Sequence, residues 1–360
     1  MAHFQVTLVQ CNDYSRLDDA FEELRQKAGL KGFEEKVFGK KVLVKPNMLG
    51  LFRPKKQVTT NPDLVRIIVR WLRQAGALVM VGDNCGIGGY GINEAAARKS
   101  RILKASEGAY LNIARDLKEI EVDSRFFQRL IVSKAVLEAD YIVNLPKLKT
   151  HTLSLFTLGI KNMFGMLAGA SKSLVHSSAQ KVEDFGEALS DIFRIRPPDL
   201  TIVDGIIGME GNGPSWGKIR PIGYLIASEN APASDLAIVK MAGVDPKDVH
   251  HLRITIERGL GPKKIEEMEI VGEFKPIRRF RLPTTLARRR LTGFFVNRYV
   301  YQQIIKSRLL LNPKKCTGCK ICLSACPSKA MGWKDDYPEI DQEKCIRCFC
   351  CYELCTEGAL

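Results

Sequence analysis

The chain is 360 residues long, 45% apolar and 26% charged, with a formal net charge of +15. That length allows two or three domains, and the composition is that of a globular protein rather than a disordered or fibrous one. No apolar run approaches the roughly 18 residues a membrane helix needs, and the opening MAHFQVTLVQ has neither the basic leader nor the cleavage site of a secretory signal.

Residues 4–10 alternate as a first strand, and 15–28 have helical spacing with Leu17, Phe21 and Leu24 on one side. KVLVKPN (41–47) is a short apolar strand. Asn61-Pro62-Asp63 opens a helix, with Asn61 as cap and proline at the first helical position; its apolar face carries Leu64, Ile67, Ile68, Trp71 and Leu72. Residues 77–86 read as the next buried strand, 133–138 as a short helix, and 140–151 as a strand running into a polar turn. A helix over 178–195 is stopped by Pro197-Pro198, strands follow at 199–205 and 222–228, and a helix at 232–242. Strands alternating with helices predict an α/β fold, a mostly parallel sheet covered by helices on both faces.

The charge is uneven. Residues 274–334 hold fifteen Lys and Arg and no Asp or Glu, so the remainder of the chain is neutral in sum. Residues 274–311 read as a basic join between an α/β domain (1–273) and a tail module (312–360), with one helix over about 284–310. Such a helix can be a structural linker, attract an acidic redox partner, or lie peripherally on an anionic membrane. No nucleic-acid-binding motif accompanies the charge, which sets nucleic acid aside.

Nine of the eleven cysteines lie in the tail, in the pattern C-x2-C-x2-C-x3-C written twice. In this pattern the fourth cysteine ligates the other cluster. The spacing therefore assigns Cys316, Cys319, Cys322 and Cys355 to one [4Fe–4S] cluster and Cys345, Cys348, Cys351 and Cys326 to a second. Zinc sites use paired knuckles, and disulfide frameworks belong to small secreted chains. Cys350 falls opposite Ile321 in the repeat, as a packing residue. A hairpin is expected at 330–334 and 339–341, around residues 335–338. The second half has no matching hairpin: either the module is minimal or the sequence stops short. The module resembles a bacterial-type dicluster ferredoxin, and exposed cluster thiolates imply a reducing compartment, taken as the cytoplasm.

In an open parallel sheet, ligands sit beyond the carboxyl ends of the strands. Lys45 and Asn47 end one strand, Asp83, Asn84 and Cys85 another, Asn144, Lys147, Lys149 and His151 a third, and Asp204 a fourth; Lys161 and Asn162 follow in GIKNMFG. Together they suggest a convergent cleft for an anionic ligand. Lys147, Lys149, His151, Asp83 and Asp204 are the candidate catalytic groups, and Lys45, Asn47, Lys161 and Asn162 the candidate anion site. Each has a plainer reading, as loop lysines, structural hydrogen-bonders or loop caps, and Cys85 reads as a small buried hydrophobe. Gly86 to Gly91 matches G-x-G-x-x-G, but it begins several residues after its strand and outside the first βα unit; GMLAGASKS (165–173) lacks the Gly-Lys pair of a phosphate loop.

With VKPN (44–47), GDNCG (82–86), LPKLKTH (145–151), GIKNMFG (159–165) and, more loosely, VDGIIGMEGNGP (203–214), residues 4–272 resemble the DUF362 domain, a family often fused to ferredoxin modules. The resemblance implies an α/β domain with an iron–sulfur partner and names no reaction. The expected function is electron transfer through two clusters, to or from a site or partner at the α/β domain. The alternatives are an oxidoreductase reducing an anionic small molecule in the cleft, and a ligand-binding redox sensor or assembly factor.

Overall fold

The computed structural model describes residues 4–86, 90–284 and 309–360. The helix expected over 284–310, and with it the membrane or partner role of that segment, lies outside the described residues apart from its ends. The strands are β1 (Phe4–Gln10), β2 (Lys41–Pro46), β3 (Leu78–Val81), β4 (Leu117–Glu121), β5 (Arg129–Ser133), β6 (Tyr141–Leu145), β7 (Lys147–His151), β8 (Leu155–Phe156), β9 (Leu200–Glu210), β10 (Lys218–Ser228), β11 (Met268–Val271), β12 (Met331–Lys334) and β13 (Tyr337–Ile340).

A nine-stranded sheet runs β11-β1-β10-β9-β6-β2-β3, with β7 attached to β9 and β8 to β7. The half containing β9, β6, β2 and β3 is parallel, whereas β10 is antiparallel to both its neighbours. Successive residues of a strand face opposite sides of a sheet, and the two cores divide accordingly. Leu43, Ile142 and Val203 belong to one, covered by the helix Val182–Ile195 and its neighbours. Val42, Val44, Val143 and Ile202 belong to the other, covered by Leu17–Lys27 and Pro62–Gln74. The Asn61 side chain caps the latter helix by accepting from Asp63 N, and all five residues of its expected apolar face are buried.

Several boundaries differ from expectation for local reasons. The strand expected over 140–151 is two strands, because Pro146 has no N–H to continue a ladder; β6 lies between β2 and β9, and β7 pairs onward with β9. The helix expected over 178–195 begins at Val182, and Ser178 instead ends a separate, earlier helix, Gly169–Ser178. The second starts with Glu183 and Asp184 in its first turn, where acidic groups suit the N-terminal dipole. The strand expected over 77–86 ends at Val81, and the polar residues beyond it form a loop. In the tail, Asp335 and Asp336, both at positive φ, make the hairpin turn, so Tyr337 and Pro338 belong to the strand rather than to the turn.

Candidate functional site

The tail is a twice-repeated unit. Positive-φ residues recur at matching places, Gly318 with Arg347, Lys320 with Phe349 and Lys329 with Gly358. Each turn leads to a cysteine-bearing segment, helical at Ile321–Ser324 and Cys350–Leu354. Two cavities result. Cys316, Cys319, Cys322 and Cys355 line one; Cys326, Cys345, Cys348 and Cys351 line the other. The two remote cysteines are equivalently held: Ala330 N donates to Cys326 Sγ at 3.2 Å and Ala359 N to Cys355 Sγ at 3.3 Å. Among the described residues no His, Cys, Asp or Glu group is gathered as a single-ion site. The sulfurs surround cavities instead, which fits a cluster better than zinc at about 2.3 Å from each thiolate. Cys350 is buried and lines neither cavity.

The segment Cys350–Leu354 docks on the strand ends of the α/β domain. Leu354 packs against Gly50 and Gly86, where an added Cβ would lie 3.2 and 2.8 Å from its methyl groups. Ser215 Oγ donates to Glu353 O at 2.6 Å, Trp216 Nε1 to Cys355 O at 3.0 Å, and Tyr352 OH to Asn212 O at 3.0 Å. The stretch after β9 is therefore a clamp for the tail module.

Glu353 enters the cleft, and its Oε1 lies 3.1 Å from His151 Nε2. His151 Nδ1 accepts from Leu153 N and Ser154 N at 3.1 and 3.3 Å, which places the ring proton on Nε2, facing Glu353. Burial, reinforced by Lys161 and only partly offset by Glu353, lowers His151 to about 4. Burial pushes the Glu353 carboxyl up, but His151, Lys161 and His176 outweigh it and hold it at about 2. At neutral pH the contact is thus a carboxylate beside a neutral imidazole, and the nearby basic group that offsets its charge is Lys161.

The other candidates fall into distinct groups. Lys147 Nζ is fully buried, 2.9 Å from Asp204 Oδ2, and also donates to Tyr14 OH and Gln57 Oε1. Asp204 takes further bonds from Tyr14 OH and Asn61 N. Lys45 Nζ is buried 2.7 Å from Asp83 Oδ1 and donates to Asn162 O. Asp83 Oδ2 accepts from Met48 N, and a Cβ on Gly165 would collide with Asp83 Oδ1, so only glycine lets the backbone approach there. Asn47, Asn144 and Asn162 bond in a chain that ties the GIKN turn to β2 and β6. Lys149 donates to Val58 O, and burial with the charge of Lys161 lowers it to about 7. Cys85 is buried, bonded to Asn93 Oδ1, and its thiol is pushed up to about 12 by burial.

A cavity of about 70 Å³ remains between these groups and the docked segment. Asn47, Asp83, Lys161 and Asn162 line it, together with Asn84, Lys172, His176, Cys350 and Glu353. Lys172 and His176 come from the segment discounted as a phosphate loop and its continuation. Their spacing of four on the helix Gly169–Ser178, which puts both on one face, is the signal that could have found them. A second, open groove of about 1110 Å³ runs beside the exposed Cys319. It is lined by Arg53, Lys55, Lys56, Arg98, Lys99 and Arg101, with Glu357 the one acidic side chain among the described lining residues. The neutral sum outside 274–334 therefore conceals a local basic patch on the α/β domain.

A dicluster iron–sulfur module seated on the strand ends of an α/β sheet defines the class of protein. The chain belongs to the DUF362 family: the model of that domain of unknown function matches residues 42–240, and a 4Fe-4S dicluster domain matches 308–356. The chain is 34% identical over 238 residues to the thylakoid-associated protein sll1697 of Synechocystis sp., covering 63% of this chain and 71% of that one. The tail is 42% identical over 53 residues to the uncharacterized protein MJ0749 of Methanocaldococcus jannaschii (15% of this chain, 20% of the relative). It is 42% identical over 45 residues to one component of an ion-translocating oxidoreductase complex of Methanosarcina acetivorans (12% and 17%). The dicluster match and the similarity to that oxidoreductase component support iron–sulfur electron transfer as the chemistry of the tail. Among the described residues no helix is long and apolar enough to cross a membrane.

Proposed function

We propose that the protein carries electrons between an acidic partner protein and the strand-end cleft of its own α/β domain. Two [4Fe–4S] clusters, held by Cys316, Cys319, Cys322 and Cys355 and by Cys345, Cys348, Cys351 and Cys326, would supply one-electron transfer. The observation that carries the reading is the seating of Cys350–Leu354 in the cleft. This short segment includes Cys351 of one quartet, stops just before Cys355 of the other, and places Cys350 and Glu353 on the small cavity. The groove beside the module is open, with Cys319 exposed beside six basic side chains. Such a patch steers an acidic carrier and weakens with salt. A compartment that keeps exposed thiolates reduced, such as the cytoplasm, suits this arrangement.

The test is anaerobic purification followed by iron and sulfide counts and a redox titration watched by electron paramagnetic resonance. About eight irons per chain are expected from two [4Fe–4S] clusters, with two one-electron steps. Cys316→Ser and Cys345→Ser should each perturb a different step. Zinc in place of iron and sulfide, or both variants disturbing the same step, would defeat the assignment. Charge reversal at Arg98 and Lys99 should slow reduction by an acidic carrier such as flavodoxin at low salt and matter little at high salt; an unchanged rate would remove the groove from the route. The second reading, reduction of an anionic small molecule, is favoured by the polar cavity.

A further inference from the structure

We infer that the cavity between the strand ends and the docked segment Cys350–Leu354 binds a small oxyanion bearing one hydroxyl, of the size of bicarbonate or glycolate. The inference rests on the electron-transfer reading, since the docked segment forms one wall. Its size argues first: about 70 Å³ leaves room for a handful of heavy atoms and excludes nucleotides, flavins and pterins.

The charges around it are unequally matched. Asp83 faces Lys45 and the Met48 amide, and Glu353 faces His151 with Lys161 offsetting its charge. Among the described residues Lys172 donates only to the neutral Asn84 carbonyl, and Lys161 stands near Phe164, its ammonium 5.6 Å from the ring centre. Both lysines line the cavity. Lys45, Lys161 and Lys172 thus meet only two carboxylates here, Asp83 and Glu353, and the one positive charge left over favours an anion.

Unpaired polar atoms then define the ligand. Among the described residues Asn84 Nδ2 is buried without a partner. Its orientation is fixed because Asn84 Oδ1 accepts from Asn93 Nδ2 at 2.8 Å. Among the described residues His176 Nδ1, Asn47 Oδ1 and the carboxylate oxygen Glu353 Oε1 are likewise buried without a hydrogen-bond partner, and the Asn47 amide is fixed by its 2.9 Å donation to Asn162 Oδ1. Buried polar groups rarely go unsatisfied without a missing water, ion or ligand. Three donors, Lys161, Lys172 and Asn84 Nδ2, call for acceptor oxygens. The acceptor Asn47 Oδ1 calls for an O–H, and a bicarbonate or hydroxycarboxylate offers both.

Full-length anaerobic protein with its clusters would be titrated with bicarbonate, glycolate, acetate and formate, with chloride as control. The readouts are the melting temperature and the paramagnetic resonance spectrum of the reduced clusters. Wild type should show a saturable rise in melting temperature with bicarbonate or glycolate, a change in one cluster's signal, and weaker responses to acetate and formate. Lys172→Met should weaken the response about ten- to hundredfold, the loss of one charge-assisted hydrogen bond. Because Lys172 also holds the Asn84 loop, Asn84→Asp is the second variant. It keeps the acceptor for Asn93, puts a carboxylate oxygen where the ligand would bind, and should fold but ignore added anion. No response to any anion, as expected if the cavity holds only water, overturns the inference, as does an Asn84→Asp variant that responds like wild type. A protein lacking iron and sulfide would instead sink the electron-transfer reading, whereas a full cluster complement without an anion response sinks only this inference.

Discussion

Two kinds of lysine line the strand-end cleft of this protein. Lys45 and Lys147 each face a carboxylate, Asp83 and Asp204, and every oxygen of those carboxylates meets a donor or an ammonium. Lys161 and Lys172 face a cavity. The first pair fastens loops to the sheet: Lys45 reaches Asn162 O, and Lys147 joins Tyr14 and Gln57 from separate segments. The second pair leaves positive charge beside an enclosed space. A lysine at a strand end thus argues for a ligand only after its own partners have been counted.

The comparison breaks most sharply at Lys147. Lys147→Met strands Asp204 in the core with hydroxyl and amide donors alone, and breaking a buried pair from one side costs about 3–5 kcal/mol. Chemical denaturation should show that loss, and replacing Asp204 by Leu in the same chain should recover much of it. A single variant as stable as wild type would move Lys147 into the ligand-facing group.

The docked segment comes next, since the second pair of lysines needs it as a wall. Leu354 is buried between Gly50 and Gly86, and Leu354→Ala should weaken docking by about 3 kcal/mol, within the range for buried leucines. Limited proteolysis would then release the tail more readily, while the α/β domain should resist as before. Glu353→Gln is milder. It keeps the size of the side chain beside His151 Nε2 but removes the charge that offsets Lys161, and about 1–3 kcal/mol is the scale for leaving a buried polar group without its partner. Equal proteolytic resistance would show that the carboxylate contributes little to docking.

The sequence carried the frame of this site better than its contents. Capping by Asn61, the apolar face from Leu64 to Leu72 and the strand around Val44 are local patterns, and each formed. The dicluster module was legible because cluster binding fixes the cysteine spacing within short turns. Pairing is a different matter. Nothing near Lys147 in the chain foretells Asp204 or Tyr14, and the tie between His151 and Glu353 joins segments far apart in the chain. The groove beside Cys319 was hidden for the same reason: Arg53 to Lys56 and Arg98 to Arg101 meet only after folding. The hairpin β4–β5 was also missed, since its first strand is half polar and largely exposed, without the alternation that marks a buried face.

The smallest effect tests whether burial alone can silence a basic group here, with no carboxylate to help. His251 is buried under the helix Val182–Ile195, and its Nδ1 has no partner. Burial, with Lys161, His151 and His250 adding repulsion, lowers it from 6.5 to about 3. The folded value lies below the unfolded one, so the unfolded chain takes up the proton first. The contribution of His251 is complete above about pH 6.5 and drains away as the pH falls from there toward 3. One pH unit below the unfolded value, the single proton is worth about 1.4 kcal/mol. His251→Gln should therefore lose less stability than wild type between pH 7.5 and 5.5, by about that amount, in parallel denaturation curves. His151 and His176, lowered in the same direction, keep the acid loss of the variant above zero. Parallel pH profiles for the two proteins would mean that His251 finds a proton acceptor when it charges. Burial by itself would then be too weak to explain why the histidines around this cleft stay neutral.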